Sequence, residues 1–91
     1  MANHKSALKR IRQNDKRRIR NRDQRGTMRS HIKKFRTAVD SEDVEAAGSA
    51  LRAAVSVIDH TRTRGVIHKN TAARRISRLT LAYNKLVAAQ G

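Results

Sequence analysis

Residues 5–39 read KSALKRIRQNDKRRIRNRDQRGTMRSHIKKFRTAV, and the way this stretch winds decides what the rest of the chain can be. It holds no Pro and a single Gly, and its Arg, Lys, Gln and Leu are good helix formers. At about 100° per residue, Met28, Ile32, Phe35 and Val39 fall on one face with 4-3-4 spacing. Carried toward the N-terminus, that face meets Gln24, Asn21, Arg17, Asn14 and Arg10. The core-facing stripe is therefore expected to stop near Met28, and what precedes it to project beyond any packed body. Gly26 sits at the junction, where a lone helical glycine reads as a tolerated cost of about 1 kcal/mol rather than as a hinge.

The projecting part is densely charged. Residues 5–25 carry ten Lys/Arg against Asp15 and Asp23, a net of +8. On a helix, Lys5, Lys9, Arg12, Lys16 and Arg20 form one stripe, and Arg18, Arg22, Arg25 and Arg29 a second, roughly opposite one. Leu8, Ile11 and Ile19 are the only large apolar residues there, too few for a core. Like charges at i,i+4 each cost a helix about 0.2–0.5 kcal/mol, so the segment opposes its own winding. A dense polyanion reverses that sign.

The totals agree. Ninety-one residues make one domain, and a net charge of +15 points to nucleic acid or, less often, an anionic membrane. Arg outnumbers Lys 15 to 7, and the guanidinium fork matches phosphate oxygens bidentately. The charge is zoned: residues 1–39 carry +12, residues 40–59 carry −4 and residues 60–91 carry +7. The ends are expected to face the polyanion. With no Cys and no apolar run long enough for a signal peptide or a membrane span, the expected location is cytoplasmic.

An Ala-rich, Pro-free remainder favours two further helices. Asn3 or Ser6 is the expected cap of the first helix. Asp40 or Ser41 is expected to cap the second, with Glu42, Asp43 and Glu45 near its positive end. Its apolar face is Val44, Ala47, Leu51, Ala54, Val55 and Ile58, and Gly65 reads as its left-handed terminator. The third helix is expected from about His68 to Ala89, turning Ala72, Ile76, Leu79, Tyr83, Leu86 and Val87 inward. Short connections make neighbours antiparallel. The expected fold is all-α: a three-helix antiparallel bundle (27–91) with a long, highly basic N-terminal helix extending beyond it (1–26).

A second basic group stands at residues 67–78, IHKNTAARRISR. His68, Lys69 and Asn70 belong to the first turn, where free N–H groups favour phosphate, while Arg74, Arg78 and Lys85 share the outward face with Arg75 beside them. Surfaces kept only for solubility mix signs, and this third of the chain has no acid. The four scattered His lack metal-ligand spacing, and neither a phosphate loop nor a catalytic triad can be assembled. Neither enzyme activity, metal nor cofactor is expected. Phe35 and Tyr83, the only aromatics, both lie on apolar stripes, so base stacking on a single strand gives way to phosphate and shape recognition of a folded duplex. Basic stripes on both sides of one helix suggest that it neutralises two nucleic-acid segments. A membrane-active helix would need a continuous apolar face; a nucleoid-associated DNA-binding protein is the nearer alternative.

The opening MANHKSALKRIRQNDKRRIRN and the later GVIHKNTAARRISRL resemble the bacterial small-subunit ribosomal protein twenty family, over the whole chain. The resemblance implies a three-helix bundle with an extended first helix. It also implies a structural, ribosome-bound protein that binds 16S ribosomal RNA early in small-subunit assembly, with other ribosomal proteins as neighbours and no small-molecule substrate. Position by position, the RNA-facing candidates it implies are Asn3, His4, Lys5, Lys9, Arg10, Arg12, Lys16, Arg17, Arg18, Arg20 and Arg22, then His68, Lys69, Asn70, Arg74, Arg75 and Arg78. Arg25 and Arg29 join them as continuations of the second stripe.

Overall fold

The computed structural model describes residues 2–90, with side chains from residue 7 onward. The described residues form three α-helices and no strand: α1 (Ala2–Asp40), α2 (Val44–Thr63) and α3 (Lys69–Gln90). α1 starts at Ala2, so Asn3 and Ser6 lie within its first turns instead of ahead of it as caps; their side chains fall outside the described set.

Both connections are Schellman turns. After α1, Asp43 N–H donates to Ala38 O at 3.2 Å and Glu42 N–H to Val39 O at 2.9 Å. After α2, Val66 N–H donates to Thr61 O at 3.1 Å and Gly65 N–H to Arg62 O at 2.9 Å. The residue that must turn left-handed is Glu42 (φ 58°) in the first and Gly65 (φ 77°) in the second. This geometry moves the cap of α2 away from the expected Asp40 or Ser41. Asp40 is the last residue of α1, and Ser41 and Glu42 make the turn. Asp43 is the extended residue (φ −93°, ψ 100°) whose carboxylate accepts from Ala46 N–H at 3.1 Å. Of the three acids expected near that end, only Glu45 lies in the first helical turn.

α2 is the central helix. α1 and α3 both pack on it and barely meet each other. Small side chains make this possible: Ala47, Gly48 and Ala54 are buried in α2, and a Cβ on Gly48 would stand 3.1 Å from the Tyr83 hydroxyl of α3. Larger groups fill the rest, with Met28, Ile32 and Phe35 from α1, Ile58 from α2 and Leu79 and Leu86 from α3. Thr61 is buried too, its hydroxyl donating to Val57 O at 2.7 Å. Gln90 Nε2 donates to Glu42 O at 3.2 Å, which places the end of α3 at the α1–α2 turn, so α1 and α3 run parallel.

Two assignments on α3 change, one inward and one outward. Val87 is exposed, because the buried residues of α3 repeat every seven, at Ala72, Leu79 and Leu86, and Val87 lies one residue off that line. Arg75 and the half-buried Ala82 fall midway along it at three-residue offsets, so Arg75 occupies a core-facing position; it is half-buried, with its Nε sealed and unpartnered. On α1 the apolar stripe does end at Met28, but packing continues through the half-buried Gln24 and Asn21. Beyond them every described residue of α1 is exposed. The molecule measures 70 × 21 × 14 Å with a radius of gyration of 18.1 Å, against about 12 Å for a compact chain of this length.

Candidate nucleic-acid interface

α1 contains 39 residues, hence about 58 Å of helix at 1.5 Å per residue. Its winding sets both expected stripes in place. Lys9, Arg12, Lys16 and Arg20 run along one side and Arg18, Arg22, Arg25 and Arg29 along the other, all exposed. Arg10 and Arg17, also exposed, lie on the line that becomes the packed seam at Asn21 and Gln24. The backbone of Asn3, His4 and Lys5 belongs to the same helix; their side chains are outside the described residues.

Almost nothing in the protein neutralises these cations. Among the described residues, the carboxylates near the row are Asp15, 3.0 Å from Arg18, and Asp23, 4.0 Å from Arg22. Both pairs are strongly exposed, so neither holds the arm in a fixed shape. The other close pair, Arg62 with Asp59 at 2.9 Å, spans one turn of α2. A row of guanidinium and ammonium groups with open hydrogen-bond donors is suited to phosphate oxygens along a nucleic-acid backbone.

The second group sits where α3 begins. His68 is exposed and precedes the helix instead of standing within its first turn, and it acts as the cap: its Nδ1 accepts from Asn70 N–H at 3.1 Å. Lys69 and Asn70 are exposed at the helix start, and Arg74 and Arg78 point to solvent one turn apart. Arg75 does not join that outward face, for the packing reason above.

Folding also gathers cations that are far apart in sequence. Arg17, Arg20, Asn21 and Gln24 of α1 face Arg64, Gly65 and Val66 of the α2–α3 connection across a cleft of about 390 Å³. Three guanidinium groups and no acid line it. Arg64 was legible in the sequence only as a charge at a helix C-terminus; its meeting with Arg17 and Arg20 depends on tertiary packing. The cleft joins the free part of α1 to the end of the bundle that carries His68, Lys69 and Asn70. Gln24 Oε1, at its edge, is buried without a partner.

No group of three or more His, Cys, Asp or Glu among the described residues could hold a metal ion, and no helix is long and apolar enough to cross a membrane. The geometry offers charge and shape along an extended surface.

Comparison with known proteins gives a consistent picture. The family model described as Ribosomal protein S20 matches residues 2–84. A small ribosomal subunit protein bS20 from Trichlorobacter lovleyi is 57% identical over 86 residues, covering 94% of this chain and 99% of the relative. The bS20 of Syntrophobacter fumaroxidans is 55% identical over 86 residues (94% and 100%), and that of Magnetococcus marinus 55% over 89 residues (98% and 97%).

Proposed function

The chain belongs to the ribosomal protein S20 family, and on that premise we propose that it is a structural component of the bacterial small ribosomal subunit that binds 16S ribosomal RNA directly. Its partners are RNA phosphates, met on the ribosome in the cytoplasm, and its work is binding without catalysis. Residues 1–26 are the grasping arm and residues 27–91 the bundle that aims it. The arm neutralises backbone charge, while Arg64 and the α3 group of His68, Lys69, Asn70, Arg74 and Arg78 hold a neighbouring RNA element, so that two RNA segments are drawn together during assembly. RNA in turn relieves the repulsion between like charges along α1, and arm and RNA order each other.

The observation that carries this reading is the long exposed row of cations whose only acidic neighbours among the described residues are Asp15 and Asp23. Charge reversal tests it. Lys9→Glu, Arg12→Glu and Lys16→Glu together, and separately Arg18→Glu, Arg22→Glu and Arg25→Glu, should each weaken binding to 16S RNA by more than tenfold. Each set should also flatten the slope of log K against log salt by about 2 to 3, at roughly 0.7–0.9 for every phosphate left without its cation. Equal competition by duplex DNA at moderate salt would instead favour a nucleoid protein, and unchanged slopes in both variants would remove the phosphate-binding role.

A further inference from the structure

Three large apolar side chains stand in water on a helix with no core near them. Leu8 is 45%, Ile11 56% and Ile19 50% exposed. Helix propensity does not account for the two isoleucines, since Ile forms helix less readily than the Arg, Lys and Gln around it. Their phase is informative. At about 100° per residue, Leu8, Ile11 and Ile19 fall within an arc of about 80° on the side of α1 turned away from Met28, Ile32 and Phe35. The two basic stripes are about 150° apart on the same wheel; of this apolar ridge, Leu8 and Ile19 lie in the arc between them, and Ile11 lies at the inner margin of the second stripe, between the phases of Arg18 and Arg22. Asp15 falls inside the ridge, between Ile11 and Ile19, with Arg18 engaging only its Oδ1 at 3.0 Å. An apolar line flanked on both sides by cations, with one acceptor set into it, is more than a phosphate-binding surface.

We propose that this outward face of α1 is the seat for the minor groove of a single A-form RNA duplex, with Leu8, Ile11 and Ile19 against the sugars and Asp15 accepting from 2′-hydroxyls. It rests on the RNA-binding role proposed above and adds the face, the groove and the basis of RNA–DNA discrimination. The minor groove of A-form RNA is wide, shallow and lined with 2′-hydroxyls, whereas its major groove is too deep and narrow for side chains. Phosphates border the groove on both sides, matching stripes on both sides of the ridge. Lys9, Arg12, Lys16 and Arg20 thus serve one strand and Arg18, Arg22 and Arg25 the other, which replaces two separate nucleic-acid segments along the arm with two strands of one duplex. The minor groove of B-DNA, about 6 Å wide, cannot admit a helix about 10–12 Å across. Asp15 gains a purpose here: beside phosphates a carboxylate only repels, but a 2′-hydroxyl can donate to it.

The test uses the full chain with a fully paired RNA duplex and a DNA duplex of the same sequence. Leu8→Ala, Ile11→Ala and Ile19→Ala combined should lose tenfold or more on RNA, keep the salt slope and leave DNA affinity unchanged. Alanine raises helix propensity, so retained helicity by circular dichroism separates this loss from unfolding. Asp15→Ala should weaken RNA binding while tightening DNA binding, because only RNA loses a hydrogen bond as a repulsive charge goes. An unchanged RNA affinity in the triple variant, equal losses on RNA and DNA, or tightening of both by Asp15→Ala overturns the proposal. Normal binding to naked RNA but failure to enter the small subunit would assign the ridge to a protein neighbour and overturn it equally. Absence of any salt-dependent RNA binding by the unaltered chain would instead sink the underlying functional reading.

Discussion

Glu42 and Gly65 fill the same position in two copies of one turn, at φ 58° and 77°, and only one of them is a glycine. A side chain in the left-handed region costs roughly 1 kcal/mol. Glu42→Gly is therefore expected to stabilise the fold by about 0.5 kcal/mol, the gain being trimmed by the freedom glycine adds to the unfolded chain. Gly65→Ala should destabilise it by about 1 kcal/mol, although nothing lies within 4 Å of its added Cβ. Urea unfolding of the two variants measures both, and a shared sign would contradict the turn assignment. Gly65 was legible because a glycine between a helical stretch and a new apolar run has few other uses. The first turn was not: residues 40–43 read DSED, three of those four residues make good caps, and only the backbone reveals that Asp43 is the extended one. Arg75 was hidden for the opposite reason. Charge argued for the surface, and although Ala72, Leu79 and Leu86 read as inward from the sequence, only their burial shows that the line they form draws in the position three residues after Ala72.

α1 was legible from its 4-3-4 stripe and from the loss of that stripe before Met28, since helical phase depends on sequence alone. Its outer limit of packing was not, because Asn21 and Gln24 are polar and their partial burial is imposed by the bundle beside them. Gly26 lies within the unbroken helix, exposed, with open space where a Cβ would go. Gly26→Ala should therefore raise stability by about 0.5–1 kcal/mol and leave RNA affinity unchanged. A loss of affinity together with higher stability would show that the arm bends at Gly26 when it binds. Thermal melting with binding on the same preparation decides between the two.

The whole molecule is a small core carrying a long lever. With about 60 residues behind the arm, stability of about 3–9 kcal/mol is expected at usual per-residue values. Phe35, the largest fully buried side chain, therefore matters out of proportion to its size: Phe35→Ala should cost about 3–5 kcal/mol, enough to leave much of the free protein unfolded. On the proposed RNA-binding role, RNA that takes only the folded bundle should restore it, by about 2.7 kcal/mol at a hundredfold excess over Kd. Circular dichroism melts with and without RNA check this, and a variant that RNA cannot rescue would separate core folding from binding. The antiparallel bundle was readable from short connections and three apolar faces. The meeting of Arg64 with Arg17 and Arg20 was not, because it depends on how far along α1 the end of α2 reaches.

Continuity of α1 from the bundle into the arm makes angular indexing part of the protein's specification. One residue inserted between residues 20 and 28 would add no charge and remove none, yet it would rotate the distal half by about 100° and advance it by about 1.5 Å. Seven inserted residues would lengthen it by about 10 Å but restore its heading to within about 20°. The short insertion should disable assembly into the subunit more severely than its tiny change in composition suggests. The long one should keep the arm correctly aimed and fail only by overreach, an outcome that subunit reconstitution with the two variants would read directly.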